Sequence, residues 1–211
     1  MPVQALGVDD GGNAEPGIFG NPALPAVGRF SAFPGRPVVT RIDDGANTLR
    51  QFHQRMESEV FSHSGTLDKY LGDGLMATFG TPIASDADAV NALRCARAMM
   101  RSMAEWNVER ERAGEAPIRA SFGLHYGPAV LGDIGSNRLE FAVIGNTVNV
   151  ASRIEALTRG LKAELAATDD LLERARKENG ADDGLLSDLV RHDGVAIRGL
   201  EEKMAVWTLP Q

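Results

Sequence analysis

Apolar residues recur every three or four positions in two long stretches of the chain. In the first stretch they are Leu49, Phe52, Met56 and Val60. This spacing predicts a helix from about Asp43 or Asn47 to Ser62. The second stretch follows an acidic first turn, and its apolar positions are Val90, Leu93, Ala96, Met100, Met103 and Trp106. It predicts a helix from about Asp86 to Arg112 whose apolar stripe faces the core.

Between these helices, and again after them, the pattern is typical of strands. The segment GTLDKYLGDGLMATFG predicts two short strands, 66–71 and 75–79, joined by a tight turn of Gly, Asp and Gly. Asp73 is therefore predicted at the tip of a hairpin. After the second helix, alternate positions from Ile118 to Tyr126 are apolar. This alternation predicts a strand with one face on the core.

The rest of the chain predicts further strands and two shorter helices. Gly127 and Pro128 are predicted to turn the chain into an antiparallel meander that ends with the strand RLEFAVIG. A helix then begins with Asn146 as its N-cap and ends before Gly160. The remaining predicted elements are a helix near 168–178 and strands at about 189–197 and 203–209. Together these elements predict an α+β fold in one main domain, 41–211.

Residues 1–40 differ from the rest in composition. They hold six of the ten prolines and seven of the 23 glycines, and they show no sustained periodicity. A segment of this kind is predicted to be mostly irregular. The boundary of the folded domain is therefore placed at about residue 41.

The composition narrows the function classes. The chain has 211 residues, of which 43% are hydrophobic and 24% charged, and its formal net charge is -7. That charge argues against nucleic acid as a partner, since nucleic-acid binders carry clusters of Lys and Arg. The single cysteine, Cys95, excludes an intrachain disulfide and fits a small buried residue in the second helix. No apolar run approaches about 20 residues, so no membrane segment is expected, and the chain is expected to be cytoplasmic.

Four blocks in a fixed order resemble one known family. They are DKYLGDGLMATFG, FGLHYGPAVLGDIGS, FAVIGNTVNVASRIEAL and IRGLEEKMAVWTL. From about Leu49 to Leu209 the chain is similar to the catalytic domain of the class III nucleotidyl cyclases, the adenylate and guanylate cyclases. The resemblance implies a ferredoxin-like α+β sandwich with an antiparallel-rich sheet and flanking helices. It also implies that two domains pair head to tail, as a homodimer or with a partner cyclase domain, and that the active sites form at the dimer interface.

The resemblance assigns a role to each matched residue. Asp73 matches one of two aspartates that hold paired Mg²⁺ or Mn²⁺ ions, which stabilise charge on the phosphates. Lys69 matches the lysine that reads the purine edge in adenylate cyclases, which implies ATP as the substrate and cyclic AMP and pyrophosphate as the products. Asn149 and Arg153, four apart on one helix face, match the asparagine that orients the ribose and the arginine that stabilises the transition state. Arg198 falls where the family often has a lysine that contacts the terminal phosphates.

Two positions depart from the family pattern. The family's first metal aspartate lies near the end of the first strand, in a motif that reads like Phe-Ala-Asp-Ile, but this chain has no Asp or Glu between Glu15 and Asp43. The nearest match, LPAVGRFS, puts Ala26 at the place of the aspartate, and alanine cannot bind a metal ion. Ala142 stands where adenylate cyclases usually carry Asp or Thr as an acceptor for the adenine amino group. Base selection would then rest on Lys69 and backbone groups, which makes ATP only a preference.

Three interpretations stay open at this point. The chain is an adenylate cyclase with impaired turnover, or a catalytically silent subunit that binds nucleotide and lends Lys69, Asn149 and Arg153 to a partner. The third interpretation is a degraded remnant that folds poorly because its first strand is missing or replaced. The missing acid near Ala26 separates the first interpretation from the other two.

Two remaining features have a structural explanation. His125 lies on the polar side of its predicted strand and is expected to be a hydrogen-bonded structural histidine rather than a ligand. The segment GDIGS, residues 132–136, lacks the spacing and the lysine of a phosphate-binding loop. It is predicted to be a hairpin loop.

Overall fold

The computed structural model describes residues 19–32, 42–133, 141–144, 146–178, 183–198 and 200–210. The strands are β1 (Phe19–Ala32), β2 (Gly65–Leu71), β3 (Gly74–Phe79), β4 (Ala120–Asp133), β5 (Phe141–Ile144), β6 (Ala163–Thr168), β7 (Val190–Val195) and β8 (Met204–Pro210). The helices are α1 (Ile42–Ser62), α2 (Asp88–Arg112), α3 (Asn146–Leu161), α4 (Asp169–Lys177) and α5 (Asp183–Leu186). Within these described ranges, no helix combines the length and the apolar character needed to cross a membrane.

The eight strands form one sheet. Its order is β2-β3-β1-β4-β6-β8-β7, and β5 pairs with β4 outside this path. The strand pairs found in the described ranges are antiparallel, except that β4 and β6 are parallel. The predicted fold class, an α+β sandwich with an antiparallel-rich sheet and flanking helices, is confirmed.

The helices cover two faces of this sheet. The main core lies under α1, α2 and α4, and it includes the buried side chains Phe52, Phe79, Leu93, Phe122, Leu165 and Ala167. On the other face, Val150 and Ile154 of α3 pack against Ala166 of β6. Successive residues of a strand point to opposite faces. The apolar run Leu165-Ala166-Ala167 therefore serves both layers, which explains why it shows no alternation.

α3 lies very close to β4. A Cβ atom on Gly123 would lie 2.3 Å from the backbone nitrogen of Glu155, so this position requires glycine. The buried Glu155 carboxylate accepts a 2.5 Å hydrogen bond from the Ser121 hydroxyl. Near the start of α3, the Thr147 hydroxyl donates a hydrogen bond to the carbonyl of Pro128. These contacts fix the helix against the strand near its start and in its second half.

β1 is an inner strand of the sheet, between β3 and β4. The prediction that residues 1–40 are irregular is therefore wrong for 19–32, and the rest of that segment lies outside the described residues. Pro22 and Pro25, which have no backbone N–H, fall within the two register shifts between β1 and β4. Pairing on both sides satisfies the backbone of a strand that composition alone does not predict. The remnant interpretation, which assumes that the first strand is missing, thus loses its basis.

The other differences from the predicted elements are local. β4 continues through Gly127 and Pro128, so the turn predicted there is wrong. Gly160 lies inside α3, and Lys162 has the positive φ of 51° just after the helix end. The sequence predicts neither β6, for want of alternation, nor the one-turn helix α5. In GDIGS, Gly132 and Asp133 belong to β4, and the rest lies outside the described residues.

Two predicted structural roles are confirmed. Cys95 is buried and forms no disulfide, and its burial raises the pKa of the thiol. His125 is buried, with its Nδ1 atom 2.9 Å from the Thr168 hydroxyl oxygen. Both side chains belong to the packed interior rather than to a reactive site.

Candidate active site

The hairpin of β2 and β3 carries Lys69 and Asp73. Leu71 pairs with Gly74, so the loop consists of Gly72 and Asp73. Gly72 has a φ of 66°, and a glycine with positive φ at the first loop position is typical of a type II′ turn. Asp73 is half-buried at the tip of this hairpin, where the sequence predicts it.

His53 of α1 lies against the hairpin. Its ring stacks on Tyr70 with the centroids 4.4 Å apart, and the Tyr70 hydroxyl donates a 3.0 Å hydrogen bond to Glu57. Burial lowers the pKa of His53, whereas the charges of Asp73 and Glu57 and a hydrogen bond with the Gly74 backbone oppose that shift. α1 thus contacts both strands of the hairpin, β2 at Tyr70 and β3 at Gly74. The sequence signals this role only by the placement of His53 and Glu57 one turn apart on the predicted helix.

Lys69 lies in β2 opposite Met76 of β3. Its ammonium nitrogen is 3.3 Å from the Oδ2 atom of Asp68, and the two side chains are 38% and 5% exposed respectively. A nearly buried carboxylate therefore holds an ammonium group that a ligand can still reach. Asp68 is absent from the predicted site residues, because neighbouring residues of a regular strand point to opposite faces.

Asn149 and Arg153 lie one turn apart on α3. Asn149 is exposed and Arg153 is half-buried. The Nη1 atom of Arg153 is itself buried, and it has no hydrogen-bond partner among the residues that the structure describes. A buried N–H group without a partner costs free energy. The guanidinium therefore has an N–H group that can donate a hydrogen bond to an anion.

α3 and the hairpin are in contact with each other. Met76 of β3 and Ala151 of α3 form a small buried cluster, against which Leu71 and Val148 pack. Val148 directly precedes Asn149 in the chain. The structure therefore brings together the two segments that carry the predicted site residues.

Arg198 lies in a loop that packs against α3 through the neighbouring residue. It is exposed, in the connection between β7 and β8. Its neighbour Ile197 is buried in a cluster with Val150 and Ile154 of α3. Arg198 thus directly follows a residue that packs against the helix that carries Asn149, and its contact with the phosphates stays a prediction.

Ala142 lies in β5, opposite Gly132 of β4. A single residue separates the end of β5 from the start of α3. Ala142 is therefore near α3 along the backbone, but its side chain lies outside the described part of the structure. Its contact with the base stays a prediction.

The register of β1 identifies the strand end beside Asp73. Ser31 pairs with Gly74, the residue that follows Asp73. Ala26 lies five residues before Ser31, about 17 Å along a strand. Ala26, the predicted place of the first metal aspartate, is therefore not at this end. The residue that follows Ser31 is Ala32, and the run FSA at 30–32 aligns with the family motif Phe-Ala-Asp, with Ser31 in place of its alanine and Ala32 in place of its aspartate.

The residues present do not fit a site for two metal ions in one chain. The sequence of β1 contains no Asp or Glu. In the described ranges, no group of three or more His, Cys, Asp and Glu side chains could hold a metal ion. Two hard cations beside a triphosphate need oxygen ligands in a fixed geometry, which the family provides with two carboxylates. Asp73 matches only one of them.

Known proteins resemble this chain in sequence and in fold. "Adenylate cyclase 1" of Rhizobium meliloti is 30% identical over 129 residues, which are 61% of this chain and 19% of that protein. "Adenylate cyclase" of Anabaena cylindrica is 33% identical over 129 residues, which are 59% of this chain and 25% of that protein. The matched part of the chain thus spans a quarter or less of the length of these relatives.

The solved structure of the guanylyl cyclase Cya2 has the same fold. It aligns with a TM-score of 0.74 at 23% identity, over 90% of this chain and 93% of its own. The family described as "Adenylate and Guanylate cyclase catalytic domain" matches residues 44–210. This match covers the hairpin and α3 together with strands β4 to β8. The chain therefore belongs to the family of adenylate and guanylate cyclase catalytic domains.

Proposed function

We propose that the chain converts ATP into 3′,5′-cyclic AMP and pyrophosphate, at a site formed with a second cyclase domain. The second domain is another copy of the chain or a partner. The observation that carries this proposal is the buried Nη1 atom of Arg153, which has no partner in the described structure and lies one turn from the exposed Asn149. A donor left unsatisfied in this way is typical of a site that binds an anion, here the triphosphate.

The reaction needs one bond formed and one broken. The ribose 3′-oxygen gives its proton to a water molecule and bonds to the α-phosphorus. The bond from that phosphorus to the oxygen that bridges it to the β-phosphate breaks, and its electron pair leaves with the pyrophosphate. Arg153 stabilises the negative charge that develops on the α-phosphate. Asn149 binds the ribose and keeps the 3′-oxygen in line with the phosphorus. Arg198 stabilises the leaving pyrophosphate by contact with the terminal phosphates.

Lys69 favours ATP over GTP in this proposal. An ammonium group only donates hydrogen bonds. The adenine ring presents an acceptor nitrogen where the guanine ring presents an N–H donor, so at this ring position Lys69 pairs with adenine and not with guanine. Ala142 offers no acceptor for the adenine amino group, which makes the preference for ATP partial.

The rate is expected to be low in a homodimer. Class III cyclases generally use Mg²⁺ or Mn²⁺, and this chain brings Asp73 but no second carboxylate at the end of β1. Fewer fixed oxygen ligands hold the cations beside the triphosphate less firmly. Metal affinity and turnover are therefore expected to fall by orders of magnitude relative to a site with both carboxylates.

The proposal is tested by turnover of the purified chain. ATP and GTP are each supplied with Mg²⁺ and then with Mn²⁺, and cyclic nucleotide and pyrophosphate are followed together. We expect slow formation of cyclic AMP from ATP, lost in Asp73→Ala and kept in Asp86→Ala, a change at an exposed aspartate outside the hairpin. Product from GTP alone, or no product from either nucleotide, would contradict the proposal for the homodimer.

A second candidate function is that of a complementing subunit. The observation that favours it is the end of β1, where Ser31 pairs next to Asp73 and no carboxylate follows. In the composite sites of this family, one domain supplies the metal carboxylates and the other supplies the base and transition-state residues. The chain would then lend Lys69, Asn149 and Arg153 to a partner that supplies both aspartates.

Mixing experiments distinguish the two candidates. The chain is combined with a cyclase domain that has both aspartates but lacks the asparagine and the arginine. A complementing subunit restores cyclic AMP formation in the mixture, and its Arg153→Ala variant does not. If the mixture stays silent while both proteins bind each other, the complementing function is excluded.

A further inference from the structure

β2 contains an extra residue at Asp68. Leu67 pairs with Ala77 of β3, and Lys69 pairs with the next residue, Met76. Two steps along β2 thus correspond to one step along β3, which is the geometry of a β-bulge. The bulge leaves Asp68 outside the regular ladder.

The bulge permits a contact that a regular strand forbids. In a regular strand, the side chains of two consecutive residues point to opposite faces and cannot meet. Here the Oδ2 atom of Asp68 is 3.3 Å from the ammonium nitrogen of Lys69, an ion-pair contact that lacks hydrogen-bond geometry. Bulges re-aim side chains in this way and are common next to active sites.

The two partners differ in exposure. The Asp68 side chain is 5% exposed, whereas the Lys69 side chain is 38% exposed. The carboxylate is therefore fixed by the surrounding protein, and the ammonium group remains open to a ligand. An ammonium group has three N–H donors, so the contact with Asp68 leaves donors for the base.

We infer that Asp68 is a positioning residue that holds the Lys69 ammonium group in place to read the adenine ring. The inference rests on the proposed function and extends it to base specificity. Lysine ends in a point charge on a flexible four-carbon stem. A free lysine would lose its rotamer freedom when ATP binds. The buried carboxylate restricts Lys69 already in the unbound protein, so less conformational entropy is lost on binding.

Base discrimination follows from the same contact. A lysine held at the acceptor nitrogen of adenine cannot turn away from the N–H group that guanine presents there. A lysine freed from Asp68 adapts to either base. Loss of the contact should therefore weaken ATP binding and strengthen GTP binding or leave it unchanged, so that the ATP-to-GTP affinity ratio falls.

The test measures equilibrium binding of ATP and GTP, which does not depend on turnover. The expected effect of Asp68→Asn is the free energy of ordering one long side chain. It should therefore reduce the ATP-to-GTP affinity ratio by about three- to tenfold. Asp68→Glu, which keeps the charge, should restore part of that ratio. Glu109→Gln, which breaks a 2.7 Å ion pair with Arg55 away from the hairpin, should leave the ratio unchanged.

A double-mutant cycle separates positioning from general stability. In a Lys69→Met background, Asp68→Asn should have no further effect on the ratio, because the residue through which it acts is absent. An unchanged ratio in Asp68→Asn, or an equal fall in the Lys69→Met background, overturns the inference. Thermal unfolding of each variant shows whether Asp68 also serves the fold, and Asp68→Glu provides the test if Asp68→Asn does not fold.

The inference and the proposed function fail in different ways. A wild-type chain that prefers ATP in binding but forms no cyclic nucleotide contradicts the proposed function for the chain alone, while the Asp68 variants still decide the inference. A wild-type chain that binds both nucleotides equally overturns the inference, whatever its turnover.

Discussion

Gly123 of β4 and Glu155 of α3 touch through their backbones, since a Cβ atom on Gly123 would lie 2.3 Å from the Glu155 nitrogen. Rotation of a side chain cannot relieve such a contact. This glycine therefore sets the distance of α3 from the sheet. It also sets the positions of Asn149 and Arg153, which the helix carries.

Gly123→Ala should destabilise the fold, because α3 must move away from β4 to admit the new methyl group. The expected loss is about 2–3 kcal/mol in the free energy of unfolding, as for other overpacked sites. Urea denaturation followed by circular dichroism measures it. Gly160→Ala is the matched control, since a Cβ atom there meets nothing within 4 Å and alanine favours a helix by about 0.5–1 kcal/mol. Equal losses in the two variants would show that the close approach does not govern stability.

Arg153→Met should separate function from stability. Loss of a donor that stabilises the transition state is expected to reduce turnover by about 10²–10³, in the homodimer or in the mixture with a complementing domain. The free energy of unfolding should stay the same or rise, because the variant removes a buried donor that has no partner in the described structure. Steady-state kinetics and urea denaturation measure the two effects.

Arg159→Met provides the control on the same helix, at an exposed position. It should change neither turnover nor stability by much, since exposed substitutions away from special features have small effects. An Arg153→Met variant that unfolds more easily and keeps its turnover would assign Arg153 to the fold instead of the site.

The sequence predicts the elements whose signals are local. The helices α1 and α2 follow from apolar spacing, and the hairpin tip follows from the glycines around Asp73. β1 depends on partners on both of its sides, and composition does not reveal those partners. β6 is apolar on both faces because α3 packs on one and the main core lies on the other, so its pattern does not alternate.

The candidate site also has residues that the sequence predicts and contacts that it does not. The motifs name Lys69, Asp73, Asn149 and Arg153, which resemble family positions. That the hairpin and α3 pack together depends on contacts far apart in the sequence. Asp68 meets Lys69 only because a bulge interrupts β2, and a bulge leaves no clear trace in the periodicity.

Ala32→Asp should raise turnover if the missing carboxylate limits the rate. The β1 register puts this end of the strand beside Asp73, so a new carboxylate there would complete the pair that hard cations need. Cyclic AMP formation with Mg²⁺ should increase by at least about tenfold, as expected when a metal ligand is restored.

One serine position and one alanine position of β1 provide the controls for this change. Ser31→Asp moves the carboxylate one residue along β1, to the position that pairs with Gly74, and Ala26→Asp lies about 17 Å away along the strand. Neither should raise turnover. A gain in Ala26→Asp but not in Ala32→Asp would overturn the placement of the strand end and support the position predicted from the sequence.

His125 should make the fold sensitive to acid. It is 8% exposed, and burial lowers its pKa from 6.5 to about 4. As the pH falls below 6.5, the unfolded chain takes up a proton that the folded chain does not. The free energy of unfolding therefore falls with pH, by about 2 kcal/mol between pH 7 and pH 5 and by about 3 kcal/mol once the pH is below 4.

Urea denaturation of the wild-type chain and of His125→Gln at pH 7, 6 and 5 isolates this contribution. Glutamine keeps a hydrogen-bonding group near Thr168 but takes up no proton, so the variant should lose less stability on acidification. The half-buried His53 also has a lowered pKa and adds to the slope of both proteins, which is why the difference between the two curves is the quantity to compare. Parallel curves would mean that His125 is protonated in the folded chain near its ordinary pKa, and the hydrogen bond with Thr168 would then have to tolerate a charged ring in the interior.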